Sequence, residues 1–262
     1  MEFLKSFFKI KGKEAPEDLA QISTPNESPE ETLLRSREKK KSKTLNSSNE
    51  VIFLRLKDDG SAIFKPANGE VGFRKKTKEG TYFKRARAAY LVNEFLGFDL
   101  VPTTTIRKLD GKIGSIQRFI ENARTYRELS PNEQEQYLQE HKEKFITLWL
   151  FDLILWNSDR HEGNLIVSTD DIHAIDNDLS FGDDHMYTLY TYYDTPIPQH
   201  LIDKIERFVS SDDMKKKLKA LLLKLLPKKE VDACFSRIKR VAHLIKKGVI
   251  TRKEKSILET YF

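Results

Sequence analysis

The chain has 262 residues, of which 39% are hydrophobic and 10% aromatic, enough to bury the core of one domain or two lobes, so a wholly disordered protein is excluded. Eleven glycines and nine prolines exclude a collagen-like chain, and the single cysteine, Cys234, excludes an internal disulfide framework and a thiolate zinc cluster. The net charge of +6 is unevenly spread: Lys215 to Lys255 holds 15 basic and 3 acidic residues, a net +12, which leaves −6 for the rest.

The opening MEFLKSFFKIKGK lacks the long apolar stretch and cleavage site of a secretory signal, and reads as a frayed terminus or a short amphipathic segment lying on a membrane. Residues 11–49 are rich in Ser, Pro, Glu and Lys and include the run REKKKSK, so residues 1–49 are expected to be a disordered or weakly ordered leader. VIFLRLK and SAIFKP then read as two strands joined by a hairpin turn at Asp58-Asp59-Gly60. Apolar residues at helical spacing predict a helix over 83–96, stopped by Gly97. LVPTTTIRKL and KIGSIQRFI, turning at Asp110-Gly111, read as a second strand pair. Ser130-Pro131-Asn132-Glu133 combines an N-cap, a first-turn proline and a capping-box glutamate, and opens one helix that becomes wholly apolar by FITLWLFDLILW. That run, 145–156, is shorter than the ~20 residues needed to cross a bilayer. After a short hairpin the chain reads as mostly helical, over 201–209, 212–226 and 229–247, with a last helix capped by Thr251 and Glu254. The expected class is α+β, with a small β-rich N-lobe over 50–121 and an α-helical C-lobe over 122–262 ending in a basic tail.

The informative segment is WNSDRHEGNLIVSTDDIHAIDNDLSFG, residues 156–182. Pairing Val167 with Ile172 in its hairpin brings Asn164 back beside Asp176, so an amide oxygen and a carboxylate converge at the open end, a suitable ligand set for Mg²⁺ carrying a phosphate. Asp159 lies five residues before Asn164, the D-x-x-x-x-N spacing of a phosphoryl-transfer catalytic loop. Lys65, at the end of SAIF, is the candidate cation for the nucleotide phosphates, and Gly60 and Ser61 could bring backbone N–H groups to them. There is no G-x-G-x-x-G and no Walker A motif, so a P-loop NTPase is excluded. The histidines outside this segment show no zinc-ligand spacing, and the tyrosines 187, 190, 192 and 193 read as a loop packed on the helical lobe or as an acceptor-binding surface.

In the order GSAIFKPANGE, LVPTTTI, GSIQRFIE, NSDRHEGNLIV and AIDNDLSF, the chain resembles the type II phosphatidylinositol 4-kinases and related bacterial proteins, and more distantly the HipA-type protein kinases. The resemblance covers about residues 50–200 and implies a two-lobed atypical kinase using ATP with Mg²⁺ or Mn²⁺. It implies that Lys65 grips the α- and β-phosphates and that Gln117, Phe119 and Ile120 lie in the hinge that holds adenine. It further implies that Asp159 orients or deprotonates the acceptor hydroxyl, that Arg160 and His161 support the loop, and that Asn164 and Asp176 bind the metal. Glu70 matches an acidic residue that follows the lysine in those kinases.

The helix position where such relatives carry a Glu, the partner of the nucleotide lysine, is here Ala86, between Arg85 and Arg87. Glu70 or Glu94 could replace it, or the two arginines could hold an anionic activator or substrate. The cysteine-rich anchoring insertion of the eukaryotic lipid kinases is absent. The expected acceptor is a phosphoinositide or a protein Ser or Thr, and the competing reading is a pseudokinase that binds nucleotide, inositol phosphate or a protein partner. The basic tail would suit an acidic membrane surface or an inositol phosphate; without aromatic interleaving, nucleic acid is disfavoured. The expected location is cytoplasmic, either free or peripheral at membranes.

Overall fold

In the computed structural model, the described residues are 28–36, 38–45, 50–57, 60–70, 80–169, 171–182 and 185–258. The first half builds a five-stranded antiparallel sheet in the order β1-β2-β3-β5-β4, from β1 (Lys39–Leu45), β2 (Val51–Leu56), β3 (Ser61–Pro66), β4 (Thr104–Leu109) and β5 (Lys112–Arg118). Helix α1 (Pro29–Ser36) precedes it, and α2 (Tyr82–Leu96) lies between β3 and β4. The expected disordered leader is therefore corrected: its later part forms α1 and β1. The lysines of β1 sit on the exposed edge of the sheet, where unpaired charges discourage edge-to-edge association.

Register sets the site. Val51 enters β2 directly beside the end of β3, since Ile52 pairs with Phe64, and β3 pairs across to β5 as Ile63 with Gln117 and Lys65 with Ser115. Glycine is required at 114: a Cβ there would sit 2.1 Å from the Lys65 carbonyl oxygen and 2.7 Å from Pro66 Cα. Helix α2 ends at Gly97, whose φ of 66° is left-handed backbone that glycine adopts without steric cost.

The second half contains a three-stranded sheet, β6 (Arg124–Thr125), β7 (Leu165–Val167) and β8 (Ile172–Ala174), among helices α3 (Pro131–Glu140), α4 (Lys142–Leu155), α5 (Gln199–Ser210), α6 (Asp212–Leu223), α7 (Lys228–Ile245) and α8 (Lys255–Leu258). The capping box at Ser130 and Glu133 starts α3. The single long helix expected from it is two: His141 ends α3 and begins α4, its ring stacked on Tyr137 at 4.1 Å. No residue of α3 is buried, whereas every residue of α4 from Phe145 to Leu155 is, so the break separates a surface helix from a core helix. The helix expected over 212–226 stops at Leu223, and the last expected helix is a 3-10 turn followed by the four-residue α8. Tyr192 and Tyr193 pack on Trp149, with ring centroids 6.2 and 5.1 Å apart. Cys234 is fully buried in α7. No helix among the described residues is long and apolar enough to cross a membrane.

Candidate active site

The loop that follows α4 is held by backbone geometry and by one arginine. Trp156 takes left-handed backbone, φ 56°, and turns the chain out of the helix. Asn157 Oδ1 then accepts from the Asp159 N–H at 2.8 Å, and Asn164 Nδ2 donates to the Asp159 carbonyl at 2.9 Å. That second bond fixes the amide and leaves Asn164 Oδ1 as the oxygen it can offer a cation. Arg160 is fully buried; it donates to the Asp152 carboxylate on α4 at 3.1–3.2 Å, to the carbonyls of Asn164 and Ile175 at 2.9 and 3.0 Å, and to Asn177 Oδ1. One side chain thus ties the core helix, the loop and both ends of the hairpin. Burial pushes the Asp152 carboxyl up, and the guanidinium offsets this only in part. His161 Nδ1 accepts from the Gly163 N–H at 3.0 Å and lies 3.0 Å from Arg127 Nη2, while its Nε2 is 4.0 Å from Asp159 Oδ2.

The hairpin pairs Val167 with Ile172 and Leu165 with Ala174, and the Ile175 N–H reaches the Asn164 carbonyl at 3.0 Å. This register carries Asn164 next to Asp176, which itself has φ 54°. Asp176 Oδ1 then meets Lys65 Nζ at 2.6 Å across the two halves, and Asp178 Oδ2 stands 3.4 Å from the same ammonium. Burial disfavours the charge on Lys65, but the two carboxylates outweigh it and its pKa is raised. Burial likewise pushes Asp176 up, yet the Lys65 ammonium prevails and its pKa falls below the usual carboxylate range. Asp178, buried and beside the Asp176 charge, is pushed up to about 7.

Lys65 and Asp176 face a cleft of about 360 Å³ between the sheet and the second half. Leu45, Val51 and Ile63 line its sheet side, Ile166 and Ile175 the opposite side, and Gln117, Phe119 and Ile120 its back. An apolar slot with a cation and a carboxylate at one end suits a flat ring joined to a polyphosphate. Phe119 contributes its position more than its N–H, which donates to the Ser61 carbonyl at 3.0 Å; Gln117 Nε2 donates to Thr104 Oγ1 at 2.8 Å.

Two nucleotide contacts expected from the sequence are displaced. Ser61 begins β3 with Gly60 just before it, about 13 Å of extended chain from Lys65; Ser61 Oγ accepts from Arg55 Nη1 at 2.8 Å. Leu45 and Val51, at the ends of β1 and β2, line the cleft with Lys65 instead; residues 46–49 lie outside the described residues. Glu70 does not pair with Lys65: its carboxylate caps α2, accepting the N–H groups of Tyr82 and Phe83 at 3.0 Å each, and burial pushes its pKa up. Glu94 lines a separate groove with Tyr90 and Lys217. Arg85 and Arg87 are likewise committed, Arg85 to the Ser180 carbonyl at 2.5 Å and Glu230 at 2.7 Å, Arg87 to Glu31 and the Thr104 carbonyl, so neither is placed to take an outside anion.

Asp178 is the residue the sequence reading passed over; its signal was the Asp-Asn-Asp alternation directly after β8. Asn164 and Asp176 supply oxygen donors suited to Mg²⁺ or Mn²⁺. Among the described residues no group of three or more His, Cys, Asp or Glu side chains is disposed to hold a metal, so a cation held by Asn164 and Asp176 would complete its shell with water or phosphate oxygens.

No protein-family model and no curated protein matches the sequence. Solved structures do match it. The chain is similar to the Golgi casein kinase, at 14% identity and a TM-score of 0.55, over 84% of this chain and 78% of that one. It is also similar to the same kinase with Mn/ADP bound, at 15% identity and a TM-score of 0.56, over 81% and 73%. A third similar structure is the Helicobacter pylori proinflammatory kinase CtkA, at 16% identity and a TM-score of 0.52, over 80% and 95%. The chain shares the α+β fold of these structures, a small antiparallel sheet facing a helical part.

Proposed function

We propose that this chain is an atypical kinase that transfers the γ-phosphoryl group of ATP to a hydroxyl of a protein or a phosphoinositide. The observation that carries the reading is the meeting of Lys65 with Asp176 at 2.6 Å at the mouth of an apolar cleft, above the loop that holds Asp159 and Asn164. A divalent cation held by Asn164 and Asp176 would supply charge neutralisation on the phosphates, and the Mn/ADP bound in a structure of similar fold supports that choice. Lys65 would carry the phosphates and Asp159 would orient the acceptor hydroxyl. In the transfer the acceptor oxygen bonds to Pγ, the bond from Pγ to the β–γ bridging oxygen breaks, ADP leaves, and the hydroxyl proton passes to the Asp159 carboxylate. The rate would come from positioning and electrostatics more than from a reactive side chain.

Ala86 favours a second reading, a pseudokinase that binds nucleotide without turnover. The deciding experiment measures ³²P transfer from γ-labelled ATP with Mg²⁺ or Mn²⁺ to a generic protein acceptor and to phosphatidylinositol vesicles, beside Asp159→Asn and Asp176→Ala. Label that appears with the wild type and vanishes in both variants is the expected result and names the acceptor class. Nucleotide-induced stabilisation without label would establish the pseudokinase; absence of nucleotide binding would sink both readings.

A further inference from the structure

Kinase-type lysines need a fixed carboxylate behind them, because a four-carbon ammonium arm left alone samples many rotamers and loses phosphate contact. The helix that would ordinarily supply this group has only Ala86 there. A small cavity of about 20 Å³ shows what stands in that place: it is lined by Ala86 from α2, by Lys65, Thr104, Ser115 and by Asp178. Lys65 and Asp176 reach both this cavity and the nucleotide cleft, whereas Asp178 belongs to the cavity and does not line the cleft. The two carboxylates on Lys65 touch each other, but Asp176 also reaches the cleft where a nucleotide and cation would lie, whereas Asp178 lines only the cavity beside Ala86. The Asp178 side chain is 8% exposed against 39% for Asp176.

The segment that carries Asp178 is fastened to α2. Arg85, the residue before Ala86, is buried and donates to the Ser180 carbonyl, while its other nitrogen binds Glu230 at the start of α7. Helix α2 thus packs on the 3-10 turn Asn177–Leu179 and holds its end through the Arg85 bond to Ser180.

From this geometry we infer that Asp178 is the positioning residue for Lys65, replacing the missing helix glutamate, while Asp176 is left to the cation. The inference rests on the kinase reading above and deepens it. Asp178 acts through Lys65 and touches neither substrate nor metal. When a cation engages Asp176, the ammonium keeps Asp178 as its partner and turns toward the phosphates without leaving its anchor.

The test is a double-mutant cycle on the full chain with Asp178→Asn, Lys65→Ala and both together, read in two ways: kcat and KM for transfer, and retention of Mn²⁺ with ADP followed by electron paramagnetic resonance. Asp178→Asn is expected to lower kcat by about 10- to 100-fold, as loss of one charge-assisted contact would. The double variant should be no worse than Lys65→Ala alone, and Mn²⁺·ADP retention should stay close to wild type in Asp178→Asn while Asp176→Ala abolishes it. Additive losses in the cycle, or release of Mn²⁺ by Asp178→Asn, would make Asp178 a metal ligand and overturn the inference. Thermal melts check folding, and Asp178→Ser carries the same cycle if Asp178→Asn unfolds. A wild-type chain that neither retains Mn²⁺·ADP nor transfers phosphate would instead remove the kinase reading itself.

Discussion

The sheet and the helical part are stabilised on different scales. Seven buried apolar residues, Leu34, Leu54, Leu56, Ala62, Phe64, Leu109 and Ile116, make the separate core of the sheet, whereas one large cluster runs through α4, α5, α6 and α7. Helix α2 belongs to the larger cluster: Ala88, Ala89, Val92 and Leu96 are fully buried in it, and the helix packs on α5, α6 and the turn that carries Asp178. By chain order α2 sits inside the sheet half, yet by burial it is part of the helical half. The lesson is that α2 is shared between the halves: Arg85 ties it to the helical part through Ser180 and Glu230, and Arg87 ties it to α1 and β4 through Glu31 and the Thr104 carbonyl, so motion between the halves would load the Arg87 contacts.

The strongest way to break this contrast is Arg160→Met, which strands the Asp152 carboxylate in the interior. It is expected to cost about 3–5 kcal/mol in urea unfolding, since the remaining charge has no partner of comparable strength; a cost below ~1 kcal/mol would show that the helical half does not depend on this tie. A smaller effect, confined to the other half, is expected from Gly114→Ala, whose new Cβ would collide with the Lys65 carbonyl and push β3 aside. About 1–3 kcal/mol should be lost, with faster amide exchange in 61–66 and 112–118 and unchanged exchange in α4. Equal acceleration in α4 would mean that the halves open as one unit.

The smallest effect should stay within the surface helix α3. Ser130→Ala removes the cap and is expected to cost about 1 kcal/mol. The Glu133 carboxyl in the same box is held down to about 2 by the Ser130 N–H and hydroxyl and by Arg124. A folded value below the unfolded one means that its contribution is complete above the ordinary carboxylate range and fades as pH falls toward 2. Carboxyl NMR titration of Glu133 should therefore give a midpoint near 2 in the wild type and a higher one in Ser130→Ala, still below the ordinary glutamate value because the N–H of residue 130 and Arg124 remain in place.

Much of this arrangement was legible because it depends on short-range rules. The hairpin register that joins Asn164 to Asp176 follows from two short apolar runs, and the end of α2 follows from one glycine with positive φ. What escaped has physical causes. The lysines that keep the edge strand β1 from pairing give it the composition of a disordered segment, so its strand nature shows only through its ladder with β2. The helix break at His141 carries neither glycine nor proline and arises because α3 must stay wet while α4 is buried. The role of Glu70 as a helix cap and the approach of Asp178 to Lys65 are long-range facts: a carboxylate twelve residues before a helix, and another 113 residues after a lysine, leave no periodic trace.

Cys234 closes the list of chemically distinctive groups, and its burial has a practical side. In apolar surroundings its thiol is pushed up to about 11, so little of it is thiolate at neutral pH and alkylating reagents reach it only when α7 opens. The rate at which Cys234 is alkylated is thus a built-in clock for opening of the helical half, and a pair of cysteines introduced on either side of the cleft could be labelled without interference from the native one.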